Sequence, residues 1–166
     1  MKQSFLCFSR EKALESLVTV PLDYDHDTQI AKFLSFVQSQ PSTRCLDKKI
    51  CDAFFMDVCD RLSPGKTYEV CLYTASKPID PELCIEFLKA KKSLFIGAQG
   101  LSLMYMQGVI PKGTKVVSFG KNTLSDEYAL SVYQYTGGSD NFFYVCWTGS
   151  YPLCKGDSIL CISEQS

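Results

Sequence analysis

The chain has 166 residues, of which 46% are hydrophobic and 21% charged, and its formal net charge is −1. That composition belongs to a folded chain long enough to bury a core without staples. It gives no electrostatic reason to expect nucleic acid as a partner. Nine cysteines accompany a single histidine. An odd number cannot all pair internally, and no two stand in a C-x-x-C or similar ligand pair, which a structural zinc site needs. No metal and no cofactor are expected.

Most of the cysteines occupy places where a small aliphatic side chain would serve. Cys51 and Cys59 flank Phe55 at four-residue intervals, and Cys146 and Cys161 lie inside apolar runs, as buried thiols commonly do. The apolar stretch after Ser4 is only four residues long before Ser9, too short for a signal peptide, and no window approaches a membrane span. The reading is a cytoplasmic protein in a reducing compartment, with no membrane partner.

In chain order, Ser4–Phe8 reads as a short strand. Ser9 offers an N-cap for a helix carrying Leu14, Leu17 and Val18, which Pro21 halts. Asp23–Asp27 is a turn, with Asp27 placed to cap the next helix, whose Ile30, Phe33, Leu34 and Val37 follow the 3.6-residue period. From Cys45 to Leu62 a third helix is expected. Leu46, Ile50, Phe54, Val58 and Leu62 recur every four residues, and Cys51, Phe55 and Cys59 widen the stripe.

Ser63-Pro64-Gly65-Lys66 is a stop and turn. Thr67–Thr74 alternates as a strand, with Tyr68, Val70 and Leu72 on one face. Asp80-Pro81-Glu82 opens a helix through Leu83, Cys84, Phe87 and Leu88 to about Lys91. Its basic end, Lys89-Ala90-Lys91-Lys92, reads as a solvated helix terminus.

Ser93–Ile96, the Gly97-Ala98-Gln99-Gly100 turn, a helix with Leu101, Met104 and Tyr105, and the strand Lys115–Phe119 form a βαβ-like order. Such a turn can aim bare N–H groups at an anion, with Ser102 close by. Only two glycines of the G-x-G-x-x-G pattern are present, and Gly120-Lys121-Asn122 supplies no acid for a ribose. The competing reading is a sharp corner and close helix packing.

Beyond Asn122 the pattern becomes a meander. Glu127–Tyr135 and Asn141–Thr148 are strands joined at Thr136-Gly137-Gly138-Ser139-Asp140, and Ser158–Ser163 is the last strand. The expected fold is one α+β domain over residues 1–166. Helices of the first two thirds pack on a mainly antiparallel sheet formed largely by the C-terminal third. Leu34, Phe54, Val58, Val70, Phe87, Val117, Val132 and Val145 would form much of the core.

Catalytic candidates are few. His26 stands between Asp25 and Asp27, and Cys154 sits beside Lys155 in a loop, the setting a thiolate needs. Asp23, Asp25 and Asp27 begin like a calcium loop, but Thr28 and Leu34 hold the places of its glycine and glutamate. There is no G-x-S-x-G elbow. The leading expectation is therefore a small cytosolic interaction or accessory protein that binds a protein partner through Tyr133, Tyr135, Trp147 and Tyr151. The alternatives are a nucleotide or other small anionic ligand held by Gly97, Ala98, Gln99, Gly100 and Ser102, or an enzyme using His26 and Cys154.

Overall fold

The computed structural model describes residues 7–10, 16–40, 43–46, 60–111, 113–121, 128–136, 138–146 and 153–165. Its strands are β1 (Phe8–Arg10), β2 (Ser16–Thr19), β3 (Thr43–Leu46), β4 (Thr67–Ala75), β5 (Lys115–Lys121), β6 (Tyr128–Thr136), β7 (Ser139–Cys146) and β8 (Ser158–Glu164). The helices among the described residues are α1 (Gln29–Gln38), α2 (Pro81–Ala90) and α3 (Gly97–Met106).

All eight strands join one sheet in the order β1-β4-β8-β5-β6-β7-β3, with β2 also paired to β4. The β3–β7 and β5–β8 pairs are parallel and the others antiparallel. This is the expected α+β class, with a mainly antiparallel sheet whose β5–β8 come from the C-terminal third.

Strand alternation divides the core between the two faces of this sheet. Tyr68, Val70, Leu72, Val116, Tyr133, Phe142, Leu160 and Ile162 point to one face, where Ile30, Phe33 and Val37 of α1 and Leu101, Leu103 and Met104 of α3 cover them. Cys71, Tyr73, Val117, Phe119, Leu130, Val132, Ile159 and Cys161 point to the other, under Cys84, Ile85, Phe87 and Leu88 of α2. Val70, Val116, Val117 and Val132 are fully buried, and each such burial contributes about 1.5–3 kcal/mol. Leu34 is half-buried at the margin. Phe54 and Val58 lie outside the described residues, and of Val145 only the place in β7 is described.

Four expectations need correction. Ser9 does not cap a helix: β1 begins at Phe8, and Leu17 and Val18 belong to β2. β1 and β2 complete successive stretches of the β4 edge, Phe8 opposite Ala75 and Ser16 opposite Val70. Leu17 is exposed while Val18 and Val20 are buried, a period of two that the hydrogen-bonding edge of β4 selects.

The helix expected from Cys45 to Leu62 also fails at both ends. Thr43–Leu46 is a strand laid parallel to β7, and Asp60–Leu62 is not helical; residues 47–59 lie outside the described residues. The open edge of β7 satisfies the backbone of β3 and outweighs its helical spacing.

Ser93–Ile96 forms no strand and contributes a single bridge, Ile96 to Gly120. Leu94 N–H donates instead to the Ile162 carbonyl at 2.7 Å. Finally, Thr28 rather than Asp27 caps α1, and no side-chain bond is made there. Asp27 N–H is taken by Asp25 Oδ1 at 3.1 Å.

The other elements keep close to their expected places along the chain, but β8 leaves the expected meander and lies between β4 and β5, antiparallel to the first and parallel to the second. Thr136 pairs with Ser139 across a two-residue turn in which Gly138 takes φ +83°, a left-handed backbone open to glycine.

Candidate functional site: an aromatic cleft over a buried carboxylate

The tight β6–β7 turn places Asp140 in the second residue of a strand, not in a loop. Asp140 therefore shares a face with Phe142 and diagonally approaches Tyr133 on β6, since Phe142 lies directly opposite Tyr133. That face lies beneath the ends of α1 and α3. Phe33 and Phe36 are one helical turn apart on α1, the first buried and the second half-buried. Tyr105 and Met106 close α3, and the chain then turns through Gly108 to Ile110 and Pro111.

Together Phe36, Gln40, Tyr105, Met106, Gly108, Ile110, Pro111, Tyr133 and Asp140 line a cleft of about 470 Å³, within the range of ligand pockets. Its rings interlock: Tyr105 lies 5.5 Å from Tyr133, 4.8 Å edge-on from Phe142 and 6.2 Å edge-on from Phe36.

Among the cleft's described lining residues the only ionisable groups are the carboxyl and two phenols. Tyr133 O–H donates to Asp140 Oδ1 at 2.7 Å, and Tyr105 O–H donates to Oδ2 at 2.6 Å. Burial first, and the bond to Asp140 second, push both phenols up from their ordinary value. They stay protonated donors and cannot serve as general bases near neutral pH. Asp140 itself is 5% exposed, and among the described residues no cation lies within ion-pair distance of it. Buried charges are ordinarily paired, so this carboxylate stands out.

A second cavity of about 230 Å³ lies beyond Met106, lined by Pro21, Asp23, Tyr24, Gln29, Lys32, Leu103 and Gln107. Its charges answer one another, Lys32 to Asp23 at 2.6 Å.

The residues singled out from sequence are dispersed. Gly97, Ala98, Gln99 and Gly100 form the first turn of α3 and are all buried. A Cβ on Gly100 would meet Ile96 Cβ at 3.1 Å and Ile162 Cδ1 at 3.2 Å, so the glycine permits close approach of helix and sheet. Gly97 takes φ +62°, and its carbonyl accepts from Ser118 Oγ at 3.0 Å. Ser102 Oγ donates to the Gln99 carbonyl and accepts from Gln29 Nε2. The space beside Ala98 and Ser102 is about 10 Å³, room for one water and not for a phosphate. The expected ligand turn is thus a packing corner, sealed by the side chains it brings together.

His26 is buried beside Tyr24, whose hydroxyl lies 3.3 Å from Nδ1. Cys154 is exposed. Its N–H donates to Asp157 Oδ2, which also meets Lys115 Nζ at 3.0 Å. Tyr24 packs on the α1 face of the sheet and Leu153, next to Cys154, on the α2 face, so the fold does not assemble a His26–Cys154 pair.

Of the expected aromatic anchors, Tyr133 is 1% exposed and Tyr135 half-buried. Trp147 and Tyr151 lie outside the described residues. Tyr133 reaches the site as its floor rather than as a surface anchor. Phe36, Tyr105 and Asp140 were not foreseen as site residues. The available signal was the inward alternation of Asp140 and Phe142 after a two-residue glycine turn.

Among the described residues no three His, Cys, Asp or Glu side chains gather as metal ligands would. No helix among them is long and apolar enough to cross a membrane.

The thiols give a direct check on cysteine chemistry. Burial pushes Cys84 up to about 12 and Cys161 up to about 11, while Cys154 is exposed and Cys7, Cys71, Cys84 and Cys161 are buried. Pulse alkylation with iodoacetamide at neutral pH, read by peptide mass spectrometry, is expected to label Cys154 at least ~10-fold faster than Cys7, Cys71, Cys84 or Cys161. Equal rates would mean that the core opens far more readily than its packing implies.

No known protein family, curated protein or solved structure matches the chain.

Proposed function

We propose that the protein is a binding protein that receives side chains of a protein partner in the cleft between α1, α3 and the β6–β7 hairpin. The observation that carries this reading is the cleft itself: an open, aromatic-walled concavity whose floor holds a carboxylate with no counter-cation among the described residues. Half-buried rings that are already ordered offer contact area at little entropic cost, the property that concentrates binding energy in few residues. The carboxylate asks for positive charge and opposes an anion, so the cleft does not suit a nucleotide. Both phenols are held protonated and already donate to Asp140, an arrangement that favours holding a ligand's charge over transferring a proton.

The free thiols of Cys84, Cys154 and Cys161 support placing this activity in the reducing cytosol.

Peptides selected by display against the folded protein test the reading. The selected peptides are expected to shift the amide resonances of Phe36, Tyr105, Met106 and Ile110, and Phe36→Ala is expected to weaken their binding by about tenfold or more. Binders that map elsewhere, such as to exposed Leu17 and Leu22, and leave the cleft unshifted would overturn it.

A further inference from the structure

We infer that the anchor of this cleft is an organic cation on an apolar stem, the side chain of a lysine or arginine of the partner. The inference rests on the binding reading above and adds the chemistry of what is bound.

It begins with the acceptor count at Asp140. A carboxylate offers about four lone-pair sites, and the two phenols fill one on each oxygen, at 2.6 and 2.7 Å. Among the described residues no other group donates to it, so acceptor capacity remains on both oxygens. A neutral donor would fill that capacity and leave the charge uncompensated. A cation supplies both, and charge-assisted bonds are the stronger kind. The carboxylate is 5% exposed, so the attraction acts in a medium less polar than water.

The walls select the rest of the ligand. Phe36, Tyr105 and Met106 are half-buried apolar surface between the carboxylate and solvent, the surface on which the methylenes of lysine or arginine lie when the charged head reaches a polar partner. The rings of Tyr105 and Phe36 add a negative face toward a passing cation. At its mouth, Gly108 leaves open space where a Cβ would stand, and Gln40 is exposed. The cleft of about 470 Å³ exceeds one side chain, so residues flanking the cation enter with it. A metal ion fits less well, because a single carboxylate already bonded to two phenols is a poor ligand set.

The test is a resonance-shift titration with n-pentylammonium, n-butylguanidinium and the neutral n-pentanol, on wild type and Asp140→Asn. In wild type at least one of the cations is expected to bind about tenfold or more tightly than pentanol, and raised salt is expected to erode that advantage. In Asp140→Asn the advantage is expected to vanish while pentanol binding persists, which shows the cleft intact. Should that variant fail to fold, the wild-type comparison and its salt dependence still decide.

Equal binding of cation and alcohol in wild type would overturn the cationic anchor and leave the binding cleft standing. Cleft resonances unmoved by all three probes would overturn the anchor, while the display experiment judges the cleft on its own. A lysine-containing tripeptide and its norleucine counterpart identify the source. Preference for the lysine peptide supports a protein side chain. Binding of free pentylammonium without that preference would overturn the protein source.

Discussion

Replacing Phe33 by alanine is expected to destabilise the protein by about 3–5 kcal/mol. Phe33 is 1% exposed and stands at the junction of α1, α3 and β7. Its ring meets Phe142 edge-on at 4.8 Å and Tyr105 edge-on at 6.1 Å. Truncation removes the transfer free energy of a whole aromatic ring and leaves a void between elements whose backbones are held by the sheet and by α3. The neighbours that border it, Phe142 in a paired strand and Leu101 in a helix, have little freedom to collapse inward.

For a chain of this size such a loss lowers the thermal midpoint by roughly 10 °C. Urea denaturation and a thermal melt check it. A loss below about 1 kcal/mol would mean that α1 is not fixed to the sheet as described. The exposed Leu22 is the control, since its truncation is expected to cost within about 0.5 kcal/mol. Phe33 also supports Tyr105 from behind, so the same variant is expected to loosen the phenol–carboxylate arrangement and weaken ligands of the cleft.

The fold was legible where local pattern and global burial agree. β4 follows a clear stop and turn, β8 is a short apolar run bounded by turn residues, and α2 announces itself by Asp80 and Pro81, so their places follow from sequence with small shifts at the ends. The misread segments share a cause. Leu14, Leu17 and Val18 satisfy a helical spacing, yet Val18 and Val20 also satisfy a period of two. What decides between them is the β4 edge, more than forty residues away in sequence. Likewise Cys45 and Leu46 fit a helical stripe until β7 offers a parallel edge. Pairing across such separations is invisible to any local window.

The site was less legible for the same reason. Tyr105 sits at helical spacing and looks like core, and Ser139-Asp140 follows two glycines and looks like a turn. Only the β6–β7 register turns Asp140 inward beside Tyr133, and only the packing of α3 brings Tyr105 to its second oxygen. Tyr133 was singled out as a partner-binding ring, and the fold buries it with its hydroxyl on Asp140.

Stability is expected to fall steeply in alkali, from about pH 9, and more steeply above pH 10. Burial holds the phenols of Tyr24, Tyr105 and Tyr133 above their ordinary value of 10.0, and it pushes the thiols of Cys84 and Cys161 to about 12 and about 11 from 9.0. In the unfolded chain these groups release protons at their ordinary values, whereas the folded protein retains them. Between the two values the folded state binds more protons, so rising pH favours unfolding; below the ordinary values the contribution is full and constant. Each retained proton costs about 1.4 kcal/mol per pH unit in that window, so the three phenols together approach about 4 kcal/mol per unit. Tyr105, at the half-open mouth of the cleft, contributes least.

The urea midpoint measured from neutral pH into this range should therefore drop. A midpoint that stays level from about pH 9 to about pH 11 would sink the expectation. Tyr24→Phe separates the ionisation from the packing. It gives up the contact with His26 and lowers stability at neutral pH, yet it removes one ionisable group, so the alkaline slope must become shallower.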